Sequence, residues 1–462
     1  MLLNLDEQTG PRHARVASAL RAAIRQGRLS PGASLPPSRQ LAAELGYSRW
    51  VVTEAYAQLT AEGYLEARTG SATRVSTLWT DQAPMLVQPA PPPSPAEPRY
   101  DLLPGMPDLR AFPRARWTEA LREASRTMTH HDLGYPVLAD GGLPEVRRIL
   151  TEYLVRNRGV TTAGTELRIT SGVCDGLSQV FRALYRSGIR SVAVEDPSWQ
   201  RPVRAARQCG LTVVPIGVDD EGILVEELFG RPEVRAVLAT PAHQFPMGVV
   251  LSKRRRKALL DWLRQVGGVL LEDDYDTEFR YDRSPPPATQ TLDPERVFLF
   301  GSTSKTLAPA VGVGWMLHPA AWSEALREAN PVVASPSALA QTAFGHLVTT
   351  GAFDRHLRDS RRRLRRRRDT LVQALTEQLP RHRLSGIAAG LHIVVHLDGS
   401  SPVDVPAIVS ETRAQGIRLC DLDTFRSEPD PERPGLVLGY GNLADAVVTE
   451  AVTRLAGHLA SR

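Results

Sequence analysis

Gly301-Ser-Thr-Ser-Lys-Thr-Leu-Ala-Pro309 decides the reading of this chain once it is set beside Glu272-Asp-Asp-Tyr275 upstream. Val269-Leu-Leu271 is a short apolar run of the kind that forms a buried strand, with Asp273 and Tyr275 expected just past its end. Val297-Phe-Leu-Phe300 is a second such run, and Lys305 follows it. In open α/β sheets, ligands collect outside the carboxyl ends of the strands. A carboxylate, a phenol and a lysine amine are therefore expected to converge on one crevice.

Those groups match the needs of pyridoxal 5'-phosphate. A lysine amine forms the Schiff base, and a carboxylate salt-bridges the pyridine nitrogen and keeps it protonated as an electron sink. A phenol hydrogen-bonds the ring oxygen. Taken alone, Lys305 reads as a surface lysine behind a strand, with the acids capping a helix; the paired motifs favour the cofactor. Lys305 is thus the expected catalytic lysine, flanked by Asp273 and Tyr275.

The totals set bounds. A chain of 462 residues is expected to hold two or more domains, and 42% hydrophobic content suffices for a core. No apolar run reaches the ~20 residues of a membrane span, and Met1-Leu-Leu-Asn-Leu-Asp-Glu7 lacks the basic start and long apolar region of a signal peptide. Cys174, Cys209 and Cys420 are scattered, with neither metal spacing nor a disulfide framework, so a reducing cytoplasm and no metal are expected. A net charge of +5 permits nucleic-acid binding without establishing it.

Along the chain, residues 12–26 read as an amphipathic helix, with Val16, Leu20 and Ile24 on one face and Gly27 and Pro31-Gly32 ending it. Ser38 is expected to cap a helix that runs to Leu45 and stops at Gly46. Ser48 is expected to cap the next, which buries Val52, Ala55 and Leu59 and ends near Ala61. Gly63-Tyr-Leu-Glu-Ala-Arg-Thr-Gly70 reads as a strand and hairpin tip, with Thr73-Arg-Val75 returning. Two short helices with a tight connection and then a hairpin make a winged helix-turn-helix. Residues 84–98 hold seven prolines, which excludes a helix or a central strand. They are expected to make a semi-extended linker spanning at most about 45 Å. The expected division is a DNA-binding domain over 1–78, a Pro-rich linker over 79–99 and an effector domain over 100–462.

The chain resembles a known family over nearly its whole length. Thr240-Pro-Ala-His-Gln-Phe-Pro-Met-Gly248, Glu272-Asp-Asp-Tyr-Asp-Thr-Glu-Phe-Arg-Tyr281 and Ser304-Lys-Thr-Leu307 are similar to the fold type I, aspartate-aminotransferase-like proteins, in particular the MocR/GabR branch of GntR regulators. Pro31-Gly32, Leu35-Pro-Pro-Ser-Arg39, Leu41-Ala42, Ser48-Arg49 and Glu62-Gly-Tyr-Leu65 resemble the GntR DNA-binding domain. The resemblance implies a winged helix-turn-helix joined to a large α/β domain with a mostly parallel sheet and a smaller C-terminal α/β domain. It also implies DNA contacts from Arg39, Ser48, Arg49 and Thr53, and from Arg68 and Gly70 at the wing. Charge alone does not carry this, since residues 1–80 hold nine arginines against six acids. Ala72 stands where the family has a second wing glycine, and its Cβ hinders close approach to the minor groove. Trp50 is expected to pack rather than to touch a base.

In the large domain, Leu103-Pro-Gly-Met-Pro-Asp108 resembles the family's opening segment, and Tyr135 with Gly142-Leu-Pro-Glu145 resembles its Tyr…Gly-Leu-Pro element. The family's tyrosine reaches a neighbouring subunit's phosphate, so a homodimer is implied. Ile169-Thr-Ser-Gly172 opens a helix over 173–186, whose first amides, near Gly172, Val173 and Cys174, suit a phosphate. Asp175 repels a phosphate unless it points away. Trp199 stands where the family stacks a tyrosine on the pyridine ring. His243 is grouped with the cofactor contacts, although a lone histidine is more often structural. Ser302 and the hydroxyl of Ser304 complete the phosphate side.

Some positions depart from the pattern. The family's phosphate-clamping arginine falls at Gly312, and Leu436-Val-Leu-Gly-Tyr440 lacks the arginine with which active aminotransferases hold a substrate carboxylate. The arginines between Arg355 and Arg368 read as a solvated helix face. The function implied is a cofactor-dependent transcription regulator that binds double-stranded operator DNA and senses pyridoxal phosphate, or an amine that forms an aldimine with it. The alternatives are an active aminotransferase with a fused DNA-binding head and a regulator whose cofactor site is dead.

Overall fold

A computed structural model describes residues 10–66, 72–77, 98–134, 141–282, 286–331, 336–397 and 403–460. Arg68, Gly70, Tyr135 and almost the whole Pro-rich linker lie outside them. The chain divides into two compact units, Met1–Pro95 and Ala96–Arg462.

The first unit is built from α1 (Arg12–Arg25), α2 (Ser38–Leu45), α3 (Arg49–Ala61) and the antiparallel pair β1 (Leu65–Glu66) and β2 (Arg74–Val75). Its core joins Val16, Leu20 and Ile24 of α1 to Val52, Ala55 and Leu59 of α3, as their spacing predicts. Gly46 ends α2 in the left-handed conformation. Ser38 is the first residue of α2 rather than its cap, because Pro37 already holds the extended backbone before the helix. Ser48 does occupy the cap position of α3, but its hydroxyl makes no capping bond.

The second unit is centred on an eight-stranded sheet. Ser191–Asp196, Ala236–Ala239, Val269–Asp273 and Val297–Ser302 run side by side and parallel. Thr212–Asp219 extends them in parallel on one side, and Gly314–Pro319 pairs antiparallel to Val297–Ser302 on the other. The central strands carry continuous apolar runs because both faces are covered. Phe298, Leu299 and Phe300 are at most 1% exposed, and each such side chain contributes about 1.5–3 kcal/mol of burial. A smaller antiparallel sheet, Arg383–Ser385, His392–His396, Gly435–Gly439 and Cys420–Asp421, forms the C-terminal part. Tyr100–Asp101 pairs in parallel with Ile417–Arg418, which ties the start of the unit to its end. Among the described residues, no helix is long and apolar enough to cross a membrane.

The arginine-rich helix Ala352–Gln378 is only in part a solvated face. Arg367 is 4% exposed and bonds Asp108 at 3.0 Å, Asp445 at 2.6 Å and the carbonyls of Tyr440 and Gly441. It locks the opening segment and the C-terminal part onto one helix. Arg361 donates to the carbonyl of Glu278, while Arg358 and Arg362 do face solvent.

Candidate functional site

Successive parallel strands deliver the site. Trp199 follows Ser191–Asp196, His243 follows Ala236–Ala239, Tyr275 follows Val269–Asp273, and Lys305 follows Val297–Ser302. Asp273 is the last residue of its strand rather than just past it, and it pairs in register with Phe300. The crevice outside the carboxyl ends of the strands therefore holds the residues expected there.

Asp273 is 7% exposed, and its Oδ1 has no hydrogen-bond partner among the described residues. Burial, then the neighbouring Asp274, pushes its carboxyl up to about 7, against the pull of Lys305. Burial lowers the Lys305 ammonium, which Asp273 partly opposes. The Lys305 amine donates to the carbonyl of Gly105 and stands 6.0 Å from the centre of the Trp199 ring. Gly105 has a φ of +86°, and a Cβ there would lie 3.3 Å from Nζ. The opening segment thus covers the lysine with backbone, a contact that nothing in the sequence of Leu103–Asp108 specifies.

On another side, the helix Val173–Arg186 begins at Gly172. Its first amides lack intrahelical acceptors. The Asp175 carboxylate turns back to accept from the Ser171 amide at 2.9 Å and from the Gln179 side chain at 3.2 Å. Cys174 lies partly buried in the first turn, its thiol pushed up to about 11 by burial and by Asp273. Ser302 ends its strand, and its Oγ accepts from the Ser304 amide at 3.3 Å. Gly312 is left-handed, with open space where a side chain would begin. Arg201 is a residue that the sequence reading missed. It lies in the first turn after Trp199, is exposed, and its charge is felt by both Lys305 and Cys174.

His243 is 3% exposed and bonds Asp276 at 2.9 Å and the Tyr275 hydroxyl at 3.0 Å. Glu195 accepts from the Thr240 amide at 3.0 Å and its hydroxyl at 2.6 Å, which fixes the loop carrying His243. Together these elements offer a nucleophilic amine, a carboxylate oxygen in want of a donor, an aromatic face, a phenol and an anion-favouring helix start.

In the first unit, Arg39, Ser48, Arg49 and Thr53 are all exposed on α2, α3 and the turn between them. Other arginines of this unit are engaged: Arg21 with Glu62, Arg25 with the Tyr64 hydroxyl, and Arg74 with the Gly32 carbonyl. Arg39 and Arg49 have no such partner among the described residues. Thr53 spends its hydroxyl on the Arg49 carbonyl at 3.0 Å. Trp50 does not pack as expected. It is 64% exposed and touches His13 only edge-on, because Val51 and Val52 take the buried face of α3.

The profile of bacterial regulatory proteins, gntR family, matches residues 12–75, and that of aminotransferase class I and II matches residues 108–415. The chain is similar to the HTH-type pyridoxine biosynthesis transcriptional regulator PdxR of Corynebacterium glutamicum, at 30% identity over 92% of this chain and 90% of that one. It is also similar to the probable rhizopine catabolism regulatory protein MocR of Rhizobium meliloti, at 31% identity over 96% of this chain and 93% of that one. The kynurenine aminotransferase of Pyrococcus horikoshii shares the fold, with a TM-score of 0.71 and 23% identity over 79% of this chain and 92% of that one.

Proposed function

The chain belongs to the aminotransferase class I and II family, in the group of HTH-type regulators that carry a gntR-family head, and on that premise we propose that it is a pyridoxal-phosphate-dependent transcription regulator. The observation that carries the cofactor reading is the buried, donorless Oδ1 of Asp273 at the strand end beside the Lys305 strand. An unpaired buried acceptor is costly, and a protonated pyridine nitrogen is the donor that satisfies it. When bound, the cofactor supplies a carbonyl for amine exchange and an electron-withdrawing ring. Lys305 would provide the amine, Asp273 would hold the ring proton, Trp199 would cover a ring face and Tyr275 would meet the ring oxygen. Ser302, Ser304 and the amides around Gly172, Val173 and Cys174 would take the phosphate, and Arg201 would add a cation where Gly312 has none.

The head reads operator DNA through Arg39, Ser48, Arg49 and Thr53, and the effector is the cofactor itself or an amine that exchanges at Lys305. Leu436, Val437 and Leu438 are fully buried and apolar, which supports sensing over ordinary amino-acid transamination. The protein acts as a cytoplasmic homodimer, in keeping with the role that the resemblance gives Tyr135. The test is a visible spectrum of the purified protein, with added cofactor, beside a mobility shift on candidate promoter DNA. A colourless protein that takes up no cofactor refutes the sensor reading, equal affinity for every DNA sequence refutes the operator reading, and a monomer by light scattering refutes the dimer.

A further inference from the structure

Behind Tyr275 lies a closed polar cluster that the cofactor reading does not use. The Tyr275 hydroxyl is 3.0 Å from His243 Nδ1, and the same nitrogen is 2.9 and 3.1 Å from the two carboxylate oxygens of Asp276. The His243 and Asp276 side chains are 3% and 1% exposed. The C-terminal part roofs this cluster. A Cβ on Gly390 would fall 2.2 Å from His243 Cε1 and 2.6 Å from Asp276 Oδ2, so only glycine fits there. The Gly390 carbonyl is in turn held by the hydroxyls of Tyr281 at 2.7 Å and Tyr440 at 2.6 Å. His392 packs against His243 at 5.4 Å and stays neutral, burial lowering it to about 4.

The donor and acceptor inventory fixes the protons. Both carboxylate oxygens of Asp276 lie within 3.1 Å of His243 Nδ1, and carboxylate oxygens are acceptors, so this geometry puts a proton on Nδ1. A protonated Nδ1 cannot accept from the phenol, which leaves the Tyr275 proton to be shared with the Asp276 carboxylate and the phenol oxygen free to accept. We propose that Asp276 and His243 are positioning residues that set the orientation and proton of the Tyr275 hydroxyl, and so decide whether Tyr275 donates or accepts at the ring oxygen it is read to meet. This rests on the cofactor reading above only for what Tyr275 faces; the network itself belongs to the protein alone. Burial and the neighbouring carboxylates of Asp276, Asp273 and Glu195 all hold the Tyr275 phenol well above its ordinary value.

The test uses full-length, cofactor-free protein labelled with carbon-13 at the tyrosine ring carbon bearing oxygen, with Tyr275→Phe to assign the signal. In the wild type, Tyr275 should stay protonated to the highest pH at which the fold survives. Asp276→Asn removes a negative charge beside the phenol and should lower its midpoint by about one pH unit or more. His243→Asn keeps a donor near the Nδ1 position and should leave Tyr275 close to wild type, whereas His243→Phe should shift it. A Tyr275 signal unchanged in folded Asp276→Asn and His243→Phe overturns the proposal. Should those variants fail to fold, nitrogen-15 histidine spectra of the wild type decide it: a protonated Nδ1 on His243 upholds the network and an unprotonated one overturns it. A network that answers to Asp276 in protein that takes up no cofactor would uphold this inference and reject the cofactor reading, so the two fail separately.

Discussion

The amine of Lys305 stands 6.0 Å from the centre of the Trp199 indole, although the two residues follow the ends of different strands. A cofactor ring held there would meet the amine at one end and the indole at its face. Purified protein with bound cofactor is expected to absorb in the visible, and Lys305→Ala to lose that band. Trp199→Ala should weaken cofactor binding by about 0.5–1.5 kcal/mol beyond lost area, measured by fluorescence titration. An unchanged spectrum in Lys305→Ala would move the amine elsewhere.

Asp273 gives a pH signature. A carboxyl raised to about 7 by burial binds its proton more tightly in the folded chain than in the unfolded one. Its contribution to stability is greatest below the ordinary carboxylate range, falls as the pH climbs to about 7, and is constant beyond. Asp273→Asn has no such loss. Cofactor-free Asp273→Asn should therefore gain on the wild type between about pH 5 and about pH 8, by up to about 3 kcal/mol. Denaturant unfolding at the two ends measures this. The same variant should bind the cofactor less tightly, because the partner left to the ring proton is a neutral amide oxygen in place of a carboxylate.

Most of the architecture was legible because it rests on local signals. Val16, Leu20 and Ile24 repeat at helical spacing, and Val297–Phe300 is apolar throughout because its strand is covered on both faces. The strand-end positions of Lys305 and Asp273 are legible because each follows such a run, and Trp199 and His243 are marked by resemblance to a known pattern. What escaped depends on contacts between distant segments. Nothing local marks Arg367 as a buried clamp for Asp108 and Asp445, since it sits in a run of arginines that mostly face water. Trp50 was misread because a large apolar residue near a helix start is ordinarily core, and here Val51 and Val52 fill that role. Asp276 lay inside a recognised motif, but its bond to His243 joins two loops.

Arg201 is expected to engage the phosphate. It is exposed, its charge reaches Lys305 and Cys174, and it has no partner among the described residues. Hydrogen bonds to charged groups are worth about 1.5–3 kcal/mol. Arg201→Gln should raise the dissociation constant for pyridoxal phosphate by roughly ten-fold or more while leaving that for pyridoxal, which lacks the phosphate, unchanged. Equal losses for both would assign Arg201 to the fold.

In the head, Arg49 and Trp50 open α3 side by side and both are exposed. Arg49→Ala should cost about 1–3 kcal/mol on operator DNA and relax sequence preference if it reads a base. An equal loss on all sequences would assign it to a phosphate. Trp50→Ala should leave thermal stability within about 0.5 kcal/mol of wild type, as surface substitutions do, and a large drop would contradict its exposure.

The head and the aminotransferase-like body are separate compact units, so regulation requires the two activities to share an equilibrium. A ligand shifts such an equilibrium only by its differential affinity for the two states. The site offers a source of that difference. Lys305 is held by the Gly105 carbonyl of the opening segment, and Asp108 of that segment is clamped by Arg367 to the helix Ala352–Gln378 and, through Asp445, to the C-terminal part. With cofactor bound, an effector amine would leave the Lys305 amine free to donate to the Gly105 carbonyl, whereas a lysine engaged by the cofactor would have to give that carbonyl up. The two states thus differ at a segment tied into the rest of the body. Reciprocity then fixes the measurement: operator DNA must change affinity for the effector by the same factor that the effector changes affinity for DNA, typically about 1–3 kcal/mol. Binding of the cofactor, and of each candidate amine to the loaded protein, should be titrated with and without operator DNA. Asp108→Asn, which weakens the clamp without touching the lysine, should reduce the coupling while leaving each separate affinity nearly intact. Equal effector affinities in the presence and absence of operator would show that the two units do not communicate through this segment.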